Sequence, residues 1–143
     1  KILRVIKFDL PPHQCIGCGG LRNKKAVVIG RGFLVGKPVA EWWRGKARFV
    51  RVLGRGEVNG ENLKDADLIV TGAGKAGLIR GEYIKKGAVL VDFGYALKNS
   101  KAVGDIDFES CRRKASYITP TPGGTGPMVV AQLFENFYEI SKK

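Results

Sequence analysis

Short, β-branched apolar runs alternate along this chain with segments in which apolar residues recur at helical spacing. Lys25–Gly30 is a short β-branched run closed by glycine and predicts a buried strand. Val35–Arg44 predicts a helix: Pro38 is tolerated in its first turn, Val39, Ala40, Trp42 and Trp43 form an apolar face, and Gly45 stops it. Strands are expected at Phe49–Leu53, Asp67–Thr71, Ala88–Phe93 and Ser116–Thr119. Short helical pieces are expected at Leu63–Ala66 and Gly81–Lys85, and a longer one at Phe108–Lys114 with Asp107 as N-cap. The final segment, Gly126–Ser141, places Val129, Val130, Leu133, Phe134, Phe137 and Ile140 at spacings of three and four, a helix with one apolar face. Ile2–Phe8 reads as an edge strand closed by Pro11-Pro12.

Buried strands alternating with helices imply βαβ units on a mostly parallel, doubly wound sheet, an α/β single domain of Rossmann-like type. Ligands in such sheets bind beyond the carboxyl ends of the strands. Glycines cluster there: after Ile29, after Thr71, after Phe93 and after Thr119. The expected division is residues 1–24 as an N-terminal strand and linker, with residues 25–143 as the nucleotide-binding domain.

Charge narrows the partner class. Lys and Arg number 25 against 13 Asp and Glu, a formal net charge of +12, which favours anionic ligands. The basic residues are scattered and no aromatic-basic cluster accompanies them, so a nucleic-acid site is the weaker reading. No window is apolar enough for a membrane helix and no signal peptide is visible. With three cysteines, an odd count, the expectation is a reducing, cytoplasmic setting. Cys15, Cys18 and His13 offer three soft ligands where a closed zinc site wants four, so no metal is expected.

Two loops carry the chemistry. Gly30-Arg31-Gly32-Phe33-Leu34-Val35-Gly36 has a G-x-G-x-x-x-G form between strand and helix, a pattern that brings backbone N–H groups and a helix N-terminus to a pyrophosphate. An NAD-type site expects an acid at the end of the second strand. Leu53-Gly54-Arg55-Gly56 has none there, while Arg55 and Arg31 suit a 2′-phosphate, so the pattern leans to NADP with NAD still open. Valine at Gly30 or Gly36 is expected to abolish nucleotide binding in a domain that still folds. The second loop, Thr119–Met128, packs three prolines and three glycines into one fixed backbone path before the last helix.

Together these segments resemble the C-terminal, nucleotide-binding domain of the methylenetetrahydrofolate dehydrogenase/cyclohydrolase family. Gly30–Pro38 is similar to its G-R-S-x-x-V-G-x-P loop, and Ala66–Val70 with Gly74 to its A-D-[IL]-[IV] strand and glycine. Ile84–Ala88 with Val91-Asp92-Phe93-Gly94 is similar to I-K-x-G-A…V-D-V-G, and Val103–Phe108 to V-G-D-V-x-F. Pro120–Met128 is similar to P-V-P-G-G-V-G-P-M.

The resemblance implies NADP binding at Gly30, Arg31 and Gly32, with Val35, Gly36, Arg55, Gly72, Gly74, Gly94 and Tyr95 around the cofactor. It also implies that Pro122, Gly123 and Gly124 line a folate and nicotinamide cleft. The implied reaction is hydride transfer between methylenetetrahydrofolate and NADP, followed by hydrolysis of the methenyl product. The lysine and tyrosine that carry this chemistry belong to the family's other domain and match nothing here, so no catalytic residue is assigned and the chain alone is expected to be inactive. A homodimer is compatible with the pattern. The alternative of another class is a non-catalytic NADP-binding module. Departures include Gly32 for the family's serine, and Leu53-Gly54 for a histidine-serine pair.

Overall fold

The computed structural model describes residues 20–142. The expected strand at Ile2–Phe8 and the Cys15/Cys18/His13 group lie outside these residues. Among the described residues, seven strands and four α-helices follow in order: β1 (Lys25–Ile29), α1 (Gly36–Trp43), β2 (Phe49–Leu53), α2 (Gly60–Leu63), β3 (Leu68–Thr71), β4 (Val89–Asp92), β5 (Ala96–Lys98), β6 (Lys101–Val103), α3 (Phe108–Cys111), β7 (Tyr117–Ile118) and α4 (Thr125–Ser141). One five-stranded sheet has the order β2-β1-β3-β4-β7, and every pair in it is parallel. The fold is therefore α/β with a Rossmann-like parallel sheet, as the alternation implied.

The central strands β1, β3 and β4 are covered on both faces, which is why they are apolar rather than alternating, whereas the edge strand β2 is largely exposed. Val27, Ile29, Ile69 and Leu90 face one layer, where they pack with Leu63, Ile79, Ile84, Ile106 and Cys111. Ala26, Val28, Leu68, Val70 and Val91 face the other, against Val39, Ala40 and Trp43 of α1. Leu63 and Ile69 are fully buried, and each contributes on the order of 1.5–3 kcal/mol relative to exposure.

Several elements differ in extent from the sequence pattern. The helix expected at Leu63–Ala66 is α2, one turn earlier, because Asn59 caps it by accepting from Asn62 N. Asp107 does cap α3, accepting from Ser110 N, but the helix ends at Cys111. The periodicity carries no sign of the hairpin β5–β6, in which Asn99 and Ser100 both take positive φ and make a two-residue turn between three-residue strands. Helix α4 begins at Thr125, and its apolar stripe is largely exposed, with Phe134 and Phe137 each at 72%.

Candidate functional site

The chain runs from β1 outward to β2 and then crosses to β3 on the other side of β1, so the strand order reverses between β1 and β3. A crevice opens at such a switch point. The loops after these two strands touch there. A Cβ placed on Gly30 would lie 2.9 Å from the Gly72 carbonyl oxygen, and one on Gly72 would lie 2.9 Å from Val35. A Cβ on Gly36 would sit 2.0 Å from the Gly30 carbonyl oxygen.

These contacts correct the sequence reading of the loop. Gly30 and Gly36 are required by the chain's own close approach, so bulk there disturbs the fold and does not merely fill a ligand's space. At Gly32 nothing lies within 4 Å of an added Cβ, so this glycine borders open space. Helix α1 starts beside it with Val35 as N-cap and no side-chain cap. Its first N–H groups and positive dipole end therefore suit an anion.

The end of β2 holds an unforeseen group. Residues Arg55–Glu57 form a 3₁₀ turn, which folds Glu57 back so that its Oε2 accepts from Gly54 N at 2.5 Å and from Arg31 Nη2 at 2.7 Å. The strand end thus carries an acid after all, displaced two residues beyond Arg55. Spacing alone hid it because a turn, not an extended strand, sets its position. Arg55 makes no ion pair among the described residues. Its guanidinium lies beside the third loop: a Cβ on Gly74 would be 3.5 Å from Arg55 Nη2 and 3.7 Å from the Tyr95 carbonyl oxygen. Arg31, Arg55, Gly74 and Tyr95 are thereby gathered from the ends of four strands, and Tyr95 is exposed.

Two buried carboxylates hold this end of the sheet together, and neither stood out from the sequence. Asp105 is fully buried and accepts from Thr71 Oγ1 at 2.6 Å, Ala73 N at 2.6 Å and Lys75 N at 2.7 Å, fixing the loop after β3. Asp92, 1% exposed, accepts from Gly94 N at 2.7 Å and Ile106 N at 3.0 Å. The pair interlocks through glycines: a Cβ on Gly94 would meet Asp105 at 2.1 Å, and one on Gly104 would meet Asp92 at 2.1 Å. Gly94, expected beside the cofactor, is thus needed for carboxylate packing.

Asp92 also anchors the Pro/Gly loop. Its N–H donates to Thr119 Oγ1 at 2.8 Å, and its carbonyl accepts from Thr125 Oγ1 at 2.6 Å. Pro122, Gly123 and Gly124 lie between those two threonines. The Thr121-Pro122 bond is cis, and a Cβ on Gly124 would meet the Pro120 carbonyl oxygen at 2.2 Å.

Burial pushes the Asp92 carboxyl up to about 6, with Asp105 adding repulsion, against the backbone donors of Ile106, Gly94 and Asp105 that favour the ionised form. A raised folded pKa means the native state holds the proton after the unfolded chain has released it. Stability from this group is full below the unfolded value of 3.8 and is lost as pH rises through about 6. Between pH 4 and pH 7 the difference is roughly 2–2.5 kcal/mol. We expect urea midpoints to rise on acidification across that window, and Asp92→Asn to lack this rise. Equal slopes in both proteins would refute the assignment. At the opposite end of the sheet burial pushes Asp67 up, but the Lys85 ion pair at 2.6 Å, the Lys25 N–H and Lys24 outweigh it and hold the group low. Burial raises the Cys111 thiol, leaving it unreactive.

Comparison with known proteins gives a consistent picture. The family described as tetrahydrofolate dehydrogenase/cyclohydrolase, NAD(P)-binding domain, matches residues 18–143. A bifunctional protein FolD of Caldanaerobacter subterraneus subsp. tengcongensis is 44% identical over 123 residues, which is 85% of this chain and 44% of that protein. A bifunctional protein FolD of Moorella thermoacetica is 41% identical, covering 95% of this chain and 51% of the relative. Among solved structures, the FolD methylenetetrahydrofolate dehydrogenase/cyclohydrolase of Campylobacter jejuni superposes with a TM-score of 0.79 at 40% identity, over 85% of this chain and 44% of that one. The Trypanosoma brucei enzyme, solved with NADP cofactor and an inhibitor, gives 0.77 at 37% identity, over 85% and 45%. The chain thus spans about half the length of these relatives.

Proposed function

Since this chain belongs to the tetrahydrofolate dehydrogenase/cyclohydrolase family, as its NAD(P)-binding domain, we propose that it binds NADP across the ends of β1, β2 and β3 and presents the nicotinamide to a folate held elsewhere in the enzyme. The observation that carries this reading is the start of α1, without a side-chain cap, beside the Gly30–Gly36 loop, with the guanidinium groups of Arg31 and Arg55 at the ends of β1 and β2. Gly32 leaves room for a pyrophosphate to approach the backbone, and the α1 N–H groups suit its charge. Arg31 and Arg55 suit the 2′-phosphate of the adenosine ribose. Gly72, Gly74 and Tyr95 border the same cleft from the neighbouring strand ends.

When bound, the nicotinamide accepts a hydride. This chain's residues bind and orient. The loop Pro122–Gly124, pinned by Thr119 and Thr125 to Asp92, forms one wall of the folate side. The acid–base groups belong to the remainder of the enzyme, in keeping with the share of its relatives that this chain spans. The proposed activity of the whole enzyme is methylenetetrahydrofolate oxidation with NADP and hydrolysis of the methenyl product. The 143 residues alone are expected to bind NADP without turnover, because positioning of both reactants supplies much of the rate.

Calorimetric titration tests the binding reading. Arg55→Ala and Arg31→Ala should each weaken NADP by on the order of 1.5–3 kcal/mol, the usual worth of a charge-assisted contact. Undiminished NADP affinity in both variants would overturn the phosphate assignment.

A further inference from the structure

The Glu57 carboxylate already occupies donors that a 2′-phosphate would use. We propose that Glu57 is a specificity-determining residue of this cleft, a built-in anion that competes with the 2′-phosphate and narrows the preference for NADP over NAD. The inference rests on the reading of the cleft as a dinucleotide site.

The geometry is specific. The Glu57 N–H donates to the Gly54 carbonyl at 3.1 Å, closing the turn. Its Oε2 then caps the Gly54 N–H and takes Arg31 Nη2, making one carboxylate oxygen the shared acceptor of both donors. Residue 54 borders the pair closely: an added Cβ would lie 3.0 Å from Glu57 Oε2 and within 3.7 Å of the Arg31 guanidinium.

A phosphate dianion and a carboxylate are both acceptors only, so they cannot share these donors without repulsion. A ribose that keeps its 2′-hydroxyl donates to a carboxylate instead, the usual role of an acid at this strand end. Arg55, free of ion pairs among the described residues and lying beside Gly74, remains to attract phosphate. The site therefore mixes one element that selects each nucleotide. Arg31 and Glu57 are both solvent-accessible, at 65% and 48%, so the pair opens at modest cost and the effect is a bias rather than a block.

Calorimetry of the 143-residue chain and of Glu57→Gln, each with 2′,5′-ADP and with 5′-AMP, isolates the adenosine end. Glutamine keeps an acceptor for Gly54 N but removes the charge. The affinity ratio of 2′,5′-ADP to 5′-AMP should rise about three- to tenfold in the variant. A ratio that stays constant or falls overturns the inference, because a merely structural Glu57 would move both ligands together. That result, with NADP still binding the wild-type chain, leaves the dinucleotide reading standing. No binding of either nucleotide or of NADP to folded wild-type chain overturns both.

Discussion

Asp105→Ala is expected to destabilise the domain by on the order of 3–5 kcal/mol, much of the 5–15 kcal/mol that a domain usually has. The carboxylate is fully buried and is the acceptor for Thr71 Oγ1, Ala73 N and Lys75 N. Removing it leaves three donors without partners at the end of β3, in a cavity shaped by Gly94. Asp105→Asn should fall between. An amide oxygen placed at Oδ2 retains Thr71 and Ala73, while the amide nitrogen then faces the Lys75 N–H. Urea denaturation of the three proteins checks the order. A loss under about 1 kcal/mol for alanine would show that another group takes over these donors.

Gly36→Val is expected to lose nucleotide binding together with roughly 1–3 kcal/mol of stability. Its Cβ would lie 2.0 Å from the Gly30 carbonyl oxygen and 2.7 Å from the Gly30 carbonyl carbon, both backbone atoms that cannot rotate away. The loop must open, and the start of α1 moves with it. Gly32→Ala, in the same loop, meets nothing within 4 Å and should melt within about 0.5 kcal/mol of wild type. Thermal melts with and without NADP separate these outcomes. A Gly36→Val protein that melts and binds like wild type would mean that the loop has slack which this packing does not allow.

The parts of the fold legible in the sequence are those governed by local periodicity. β1, β2, β3 and β4 follow from β-branched runs, and burial on both faces explains why the runs of β1, β3 and β4 do not alternate. Asp107 capping α3 follows from residue type alone. The site was legible in outline because glycine and proline mark strand ends whatever lies around them. What stayed hidden depends on contacts between distant residues. Glu57 reaches the β2 end only because a 3₁₀ turn folds it back to Gly54. The interlock of Asp92 with Gly104 and of Asp105 with Gly94 joins residues from separate segments, and the motifs that contain them read equally well as cofactor contacts. The stripe on α4 was legible as apolar, but periodicity does not say what lies against it, and in this chain Leu133, Phe134, Phe137 and Ile140 are exposed.

Amide hydrogen–deuterium exchange of the wild-type chain, with and without NADP, tests most directly whether this cleft is the cofactor site. NADP at about 1 mM, the upper end of ordinary enzyme working concentrations, should slow exchange in residues 30–37, 54–57 and 72–75 and leave α3 unchanged. A folded chain whose exchange is unaltered by NADP, or is slowed only away from the ends of β1, β2 and β3, would contradict the assignment.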